Sequence, residues 1–492
     1  MTPYDVNLQP DACYLALKAR DARFDGRFFT GVTTTGIYCR PVCRVRTPRR
    51  ENCRFFSLAA QAESAGFRPC LRCRPELAPQ SLIWSIQDAG SILAQQAARL
   101  LDEPEAWGDA GPSVDRLAAR LGVSDRHLRR IFEAQLGVSP MQYLQTRRLL
   151  TAKQLLADTS LPITQVALIS GYASVRRFNA AFAQHYGLNP TQLRREGAAQ
   201  AADGLQVRLG YRPPYDVQAM LAFLQTRRIE GLEFVDTPQR QLGRTLALQA
   251  GGQLHQGWLL AQFDAGQPQV LLRVSAGLQS VLPQVIRRVR ALLDLDADPR
   301  AVNAVLHARF PRGDGLRVPG AASGYEVAVR AVLGQQITVA AARTLAQRLV
   351  DRFGGPIETP WPGLRRLFPT PEVLAQADGD ALGQLGIVRQ RQAAIVAIAQ
   401  AVAGGKLHLH AGADVHATMA ALKELPGVGD WTAHYIAMRA LRWPDAFPAG
   451  DIALQKALGV QGARQPAREA EAASQDWKPW RSYAVIRAWH GA

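Results

Sequence analysis

A chain of 492 residues is too long for one hydrophobic core and must divide into several domains. Lys and Arg number 58 against 41 Asp and Glu, a net charge of +17 that favours a polyanionic partner, although a general basic bias would supply about half of it. No apolar run reaches the roughly 18 residues that span a bilayer, and the N-terminus lacks a signal-peptide layout, so a cytosolic protein is expected.

All six cysteines fall early in the chain: Cys13, Cys39, Cys43, Cys53, Cys70 and Cys73. In a reducing compartment such clustering points to metal or thiol chemistry rather than disulfides. The runs "CRPVC" and "CLRC" pair Cys39 with Cys43 and Cys70 with Cys73, separated by a stretch long enough to fold back. Four thiolates in tetrahedral array are a standard zinc sphere, and in so small a block the metal supplies a large share of the folding free energy. Zn2+ is therefore the expected cofactor. Cys13 and Cys53 lack a chelating neighbour and are expected to pack in the interior.

The segment "TTTGIYCRPVCRVRTPRRENCRFFSLAAQAESAGFRPCLRCRPE" closely resembles the N-terminal domain of the Ada family of bacterial methylation-damage sensors, over about residues 8–78. The resemblance implies that Cys39 accepts a methyl group from a methylated DNA phosphate, and that Thr35, Arg44, Arg46 and Arg68 contact DNA. Elementary chemistry agrees. A zinc-bound sulfur stays a thiolate at neutral pH, and an uncharged phosphotriester is a methyl donor that does not repel it. Methylating one sulfur removes negative charge facing the phosphates, so DNA affinity should rise, and the transfer is stoichiometric because a thioether does not return the methyl group.

Residues 80–196 have the pattern of short amphipathic helices, interrupted by "DEPEAWGDAGPS" and closed by the linker "REGAAQAADG". "SVDRLAARLGVSDRHLRRIFEAQ" fits helix, turn at Gly122, and a second helix capped by Ser124. A second copy, "PITQVALISGYASVRRFNAAFAQHYGLNP", has Gly171 at the turn and Ser174 opening the next helix. Joined by "PMQYLQTRRLLTAKQLLAD", the two units look like the AraC-type DNA-binding domain, with Arg126, Arg129, Arg130, Arg176 and Arg177 exposed on the second helices. Whether these arginines read bases or bind phosphate is open. The resemblance implies an operator-binding transcription regulator, with RNA polymerase as a further candidate partner and a monomer as the expected state.

Alternating runs such as "LALQA", "GWLLAQF" and "VLLRVS" within residues 205–290 predict an antiparallel sheet. From about 295 the pattern is helical to the end, with "YEVAVRAVLGQQITVAAARTLAQRLVDRF" and "RQAAIVAIAQAVAGG" as the clearest helices. In "LKELPGVGDWTAHYIAMRALRWPDAFPAGDIALQKALG", Gly427 and Gly429 permit a tight turn and expose N–H groups at a helix N-terminus, a sequence-independent phosphate grip. This segment resembles the helix-hairpin-helix base-excision glycosylases. The resemblance implies that Gly427, Gly429 and Thr432 touch DNA and that Asp451, 22 positions after Gly429, is the catalytic carboxylate. Members that also cut the backbone carry a Lys just after the hairpin to form a Schiff base; here Trp431 stands there, so base removal alone is expected. No cysteine follows Cys73, which excludes a four-cysteine iron-sulfur loop.

Together with "RLGYRPPYDVQAMLAFLQTR", "LRVPGAASGYEVAVRAVLGQQITV" and "WKPWRSYAVIRAWHG", the segment resembles the 3-methyladenine DNA glycosylase II family over about residues 205–492. That implies a base-binding cleft of Phe223, Gln335, Trp431, Tyr435 and Trp489. A cationic alkylated purine stacks on electron-rich rings and leaves without strong acid help, while Asp451 stabilises the cationic sugar or orients water. The family has an acid and an aromatic where this chain has Gly450 and Ile452, which leaves the lesion range open. There is no "PCHR" motif, so direct repair of O6-methylguanine is expected elsewhere.

The fold expected is an α+β multi-domain chain. It comprises a small zinc domain (1–78), an all-α domain with two helix-turn-helix units (80–196), an antiparallel-sheet α+β domain (205–290) and an all-α helix-hairpin-helix glycosylase domain (295–492). Three alternatives stand beside this reading: a transcription activator whose C-terminal half is only a DNA clamp, a purely structural zinc site, and a glycosylase for other lesions.

Overall fold

The structure, a computed structural model, describes residues 9–80, 89–103, 107, 111–194 and 204–491; half of the expected interruption at 102–113 and most of the linker at 195–204 lie outside them. Among the described residues no helix is long and apolar enough to cross a membrane.

In the N-terminal domain the strands β1 (Phe29–Val32), β2 (Ile37–Cys39), β3 (Cys53–Phe56) and β4 (Arg68–Pro69) form a sheet of order β3-β1-β2-β4. β2 and β4 pair in parallel, with Tyr38 opposite Pro69, and this register sets Cys39 beside Cys70. The apolar interior is small, split between a cluster on Phe29, Tyr38, Ala62 and Phe67 and another on Cys13, Ala16 and Phe28. Cys13 and Cys53 are buried away from the other four, and burial pushes the Cys13 thiol up to about 11, in keeping with packing.

Each helix-turn-helix unit forms as its caps dictate. Ser124 Oγ accepts from His127 N–H to start the helix Asp125–Leu136, and Ser174 Oγ accepts from Arg177 N–H to start Val175–Tyr186. The helix Pro140–Asp158 joins the units.

Five antiparallel strands make the second sheet: β5 (Leu205–Gly210), β6 (Glu233–Asp236), β7 (Gln241–Ala250), β8 (Gln253–Phe263) and β9 (Gln269–Val274), in order β5-β9-β8-β7-β6. The β7-β8 hairpin turns on Gly251 and Gly252, both at positive φ (56° and 72°), the combination that a two-residue hairpin matching the strand twist demands. Beyond the sheet the chain is mostly helical. The apolar pattern over 325–353 suggests one long helix, yet the structure breaks it into Gly324–Leu333 and Val339–Phe353. Helical hydrogen bonding ends at Gly334, Gln336 takes φ 54°, and Thr338 caps a new helix, so a turn interrupts an uninterrupted apolar periodicity.

Packing groups the chain differently from its sequence blocks. The second helix-turn-helix unit (Phe178, Phe182) and the joining helix (Leu149) share one apolar core with the sheet (Val207, Leu272) and Val285, whereas the first unit packs around Phe132 with Ala60 of the zinc domain. Val302 and Leu306 belong to the C-terminal helical core. Buried charge fastens the parts. Glu76 of the zinc domain pairs with Lys153 at 2.5 Å, and Arg74 with Asp158 at 2.6 Å. Arg244 and Arg330 alternate with Glu233 and Glu326 between the second sheet and the helix Gly324–Leu333, each carboxylate meeting both guanidiniums.

Candidate metal centre and nucleic-acid cleft

The four cysteines Cys39, Cys43, Cys70 and Cys73 converge, with their sulfurs all within 4.8 Å of one another. That spacing suits a tetrahedral sphere with metal-sulfur bonds of about 2.3 Å, and an all-thiolate donor set fits zinc. Three of the sulfurs are tempered by backbone donors: Arg40 N–H lies 3.3 Å from Cys73 Sγ, while the Val45 and Cys73 amides bond Cys43 and Cys70. Arg40 also braces the loop, donating Nε to Asp25 at 2.8 Å and Nη1 to the Cys73 carbonyl at 2.9 Å.

Thr35, Arg44 and Arg46 are exposed around this centre. Arg68 is exposed as well, but its Nη1 donates to the Tyr186 carbonyl at 3.2 Å, at the end of the helix Val175–Tyr186. Its guanidinium thus serves the docking of the zinc domain, a role the sequence does not announce. Arg126, Arg129, Arg130, Arg176 and Arg177 all point to solvent from the two second helices.

In the C-terminal domain the helices Val415–Lys423 and Asp430–Arg439 flank the glycine turn. Gly427 takes φ 74°, and an added Cβ would sit 3.1 Å from the Gln390 carbonyl, so this position needs glycine for the fold itself. Gly429 is different: it is extended, with φ −88° and no atom near a would-be Cβ, so its bareness serves approach from outside. No side chain caps the helix that Gly429 opens, which leaves its first N–H groups free for an anion. Thr432 requires a correction. It is buried, and its hydroxyl accepts from Gln335 Nε2 at 2.9 Å, so its side chain holds the turn and does not face DNA. Gln335 Nε2 also bonds the Gly427 carbonyl at 2.8 Å, and Arg391 in turn holds the Gln335 carbonyl at 2.5 Å.

Asp451 caps the helix Ile452–Leu458 and is half-buried against the aromatic residues. Oδ1 accepts from Leu454 N–H at 2.8 Å and Trp489 Nε1 at 3.0 Å, and Oδ2 accepts from Trp431 Nε1 at 3.0 Å. Tyr435 stacks on Trp431 at 5.3 Å and 18°, and Trp489 tilts against Tyr435 at 6.3 Å and 39°. Phe223 comes from the helix Val217–Arg227 of the sheet domain, and the Arg439 guanidinium lies over both Phe223 and Tyr435. The result is a carboxylate pinned at the edge of a three-ring wall.

Two cations that sequence reading missed shape this wall. Arg439 Nη1 donates to the Tyr435 hydroxyl at 2.8 Å, and Arg227 lies 3.7 Å over the Phe223 ring. Burial alone would raise the Tyr435 phenol, but Arg439 and Arg227 outweigh it and hold the phenol below its ordinary value. Each arginine stands four residues after its aromatic partner on one helix, a spacing that could have flagged both. A cavity of about 600 Å³ elsewhere, lined by Arg288, Tyr325 and Trp443, includes none of these aromatic residues.

Four family models match the chain: "Metal binding domain of Ada" over residues 12–76, "Helix-turn-helix domain" over 117–196, "AlkA N-terminal domain" over 206–323, and "HhH-GPD superfamily base excision DNA repair protein" over 329–482. A "Probable bifunctional transcriptional activator/DNA repair enzyme AlkA" of Mycobacterium tuberculosis is 37% identical over 492 residues, covering 97% of this chain and 96% of the relative. "DNA-3-methyladenine glycosylase 2" of Escherichia coli is 34% identical over 57% of this chain and 96% of its own length. The "Regulatory protein ada" of Salmonella typhimurium is 35% identical over 38% of this chain and half of its own.

Proposed function

The chain belongs to the family of bifunctional transcriptional activator/DNA repair enzymes that join an Ada-type metal-binding domain to an AlkA-type glycosylase, and on that premise we propose how its residues divide the work. It is a DNA-binding zinc protein that hydrolyses the N-glycosidic bond of alkylated purines of the 3-methyladenine type, accepts methyl groups from DNA phosphotriesters and regulates transcription.

In the N-terminal domain Cys39 is the acceptor. Its sulfur attacks the methyl carbon, a C–S bond forms, the C–O bond breaks, and the phosphodiester leaves with the electron pair. Zinc, when bound by Cys39, Cys43, Cys70 and Cys73, keeps the sulfurs as thiolates at neutral pH. Arg44, Arg46 and Thr35 approach the backbone, and loss of one negative charge from the centre strengthens that approach. The exposed arginines of the second helices bind operator DNA.

For base excision, the observation that carries the reading is the Asp451 carboxylate, held by two indole N–H groups and one amide beside stacked rings. Trp431, Tyr435 and Trp489 stack an electron-poor base, with Phe223 beside them. As the C1′–N bond breaks, its electrons leave with the base, and Asp451 stabilises the cationic sugar or orients the incoming water. Gly427, Gly429 and the uncapped helix grip a phosphate beside the flipped nucleotide. A cytosolic monomer acting on damaged and operator duplexes, with RNA polymerase as the activator's partner, completes the reading. A domain kept only as a clamp has no use for such a carboxylate. Release of free 3-methyladenine from methylated duplex DNA tests it, and a wild-type protein that releases no base sinks the enzymatic assignment.

A further inference from the structure

Between the zinc domain and the glycosylase lies an arginine that neither site uses. Arg212, just after β5, has no exposed surface, and burial pushes its pKa down to about 10. Its five hydrogen bonds all end on backbone carbonyls. Nε reaches Asp25 at 2.7 Å, Nη2 reaches Pro79 and Gln80 at 2.9 Å each, and Nη1 reaches Asp296 and Ala297 at 2.7 and 3.2 Å. Carbonyls from three stretches far apart in sequence thus converge on one cation. Burying a guanidinium is costly, so this arrangement persists only while both sides supply their acceptors.

From Arg212 the contacts run both ways. Toward the metal centre, the Asp25 carboxylate accepts Arg40 Nε at 2.8 Å, and Arg40 bonds the Cys73 carbonyl and sulfur at 2.9 and 3.3 Å. Toward the cleft, the Arg212 carbonyl accepts Arg317 Nη2 at 2.5 Å. Two residues later, the Pro319 and Gly320 carbonyls accept Arg439 Nε and Nη2 at 2.9 and 3.0 Å, and Arg439 Nη1 holds the Tyr435 hydroxyl at 2.8 Å.

We propose that Arg212 and Arg439 are positioning residues for the base cleft, and that the docked zinc domain is thereby part of the framework that sets the Tyr435 ring. The state of the zinc site then bears on base binding as well as on DNA affinity. Of the three donors to Asp451, Leu454 N–H and Trp489 Nε1 lie outside this relay, and Trp431 stands at the far end of the helix Asp430–Arg439 from Arg439. Loosening it weakens stacking that ground and transition states share, so KM rises while kcat holds. The inference rests on the base-excision reading of the cleft, so its test includes a measurement that needs no activity.

The experiment uses the full-length, zinc-loaded chain and Arg212→Gln. Hydrogen exchange is followed at residues 317–320 and 430–439, and KM and kcat for base release are measured in parallel. Arg212→Gln should speed exchange at both segments and raise KM roughly fivefold or more, with kcat unchanged to within about twofold. Arg212→Lys, which keeps the charge and up to three donors, should fall between it and wild type. Chelating the zinc of the wild type should speed exchange at the same segments, and should add nothing in Arg212→Gln. Unaltered exchange in Arg212→Gln, or chelation and substitution effects that simply add, overturns the proposal. Should Arg212→Gln not fold, Arg439→Gln takes its place: chelation that no longer speeds exchange at 430–439 in that variant supports the relay, and chelation that speeds it there as much as in wild type overturns it. A wild type that releases no base defeats the excision reading, while the exchange data still decide the relay.

Discussion

Trp431 donates its indole N–H to Asp451 across 3.0 Å, tying the helix that follows the glycine turn to the loop that carries the carboxylate. Trp431→Phe keeps a stacking ring and removes that donor. A hydrogen bond to a charged group contributes about 1.5–3 kcal/mol, so kcat for base release should fall about 10- to 100-fold. Equal kcat in the variant and wild type would show that this bond does not position the carboxylate.

Asp451→Asn separates chemistry from folding. Asn is as good a cap as Asp, so the bond from Leu454 N–H survives and the melting temperature should stay close to that of wild type. Base release should nevertheless be lost, because the amide carries no charge with which to stabilise the sugar cation. The outcome against this assignment is an Asn variant that excises at the wild-type rate.

The two hairpin glycines should behave differently. Gly427→Ala forces a left-handed φ on a residue with a Cβ and crowds the Gln390 carbonyl, which should cost on the order of 1–2 kcal/mol of stability. Gly429→Ala meets no protein atom, so its melting temperature should not move while affinity for undamaged duplex falls. Denaturation curves and duplex titrations on the pair check both.

Methyl acceptance should be confined to Cys39. Wild-type protein exposed to methylated DNA should carry a methyl group on the peptide containing Cys39 and bind operator DNA more tightly afterwards. Cys39→Ser should remain unmethylated, and peptide mass analysis detects the difference directly. Chelation should unfold the domain around β1–β4, whose apolar interior is small and split. Methyl transfer that persists in Cys39→Ser would move the acceptor to another sulfur.

Docking of the zinc domain on the helix-turn-helix domain should depend on pH. Glu63 is buried between them, accepts from Tyr38 and Thr146 hydroxyls at 2.9 and 2.8 Å, and lies 3.9 Å from His185 Nδ1. Burial raises its pKa from 4.5 to about 7, against the lowering effect of the two hydroxyls and Lys153. A carboxyl raised in the folded state contributes stability that is complete below its unfolded pKa and is lost as pH climbs through the folded one. Thermal stability should therefore decline between about pH 5 and pH 8, and Glu63→Gln should flatten that decline. A Gln variant with the wild-type slope would assign the effect to another group.

Local chemistry made much of this protein legible from its sequence. Chelating spacing identified the four cysteines, serines three residues before helical amides marked the starts of the second helices, and a glycine turn whose segment resembles the helix-hairpin-helix glycosylases nominated Asp451 through that resemblance. Each signal lies within a short stretch or repeats at a set period. Tertiary structure decided what no spacing carries. It broke the apolar run over 325–353 with a turn, turned Thr432 inward, and gave Gln335 to the hairpin and Arg68 to a neighbouring helix end. The five acceptors of Arg212 are the clearest case: every residue has a backbone carbonyl, so nothing in composition or periodicity marks the ones that folding gathers around a buried cation.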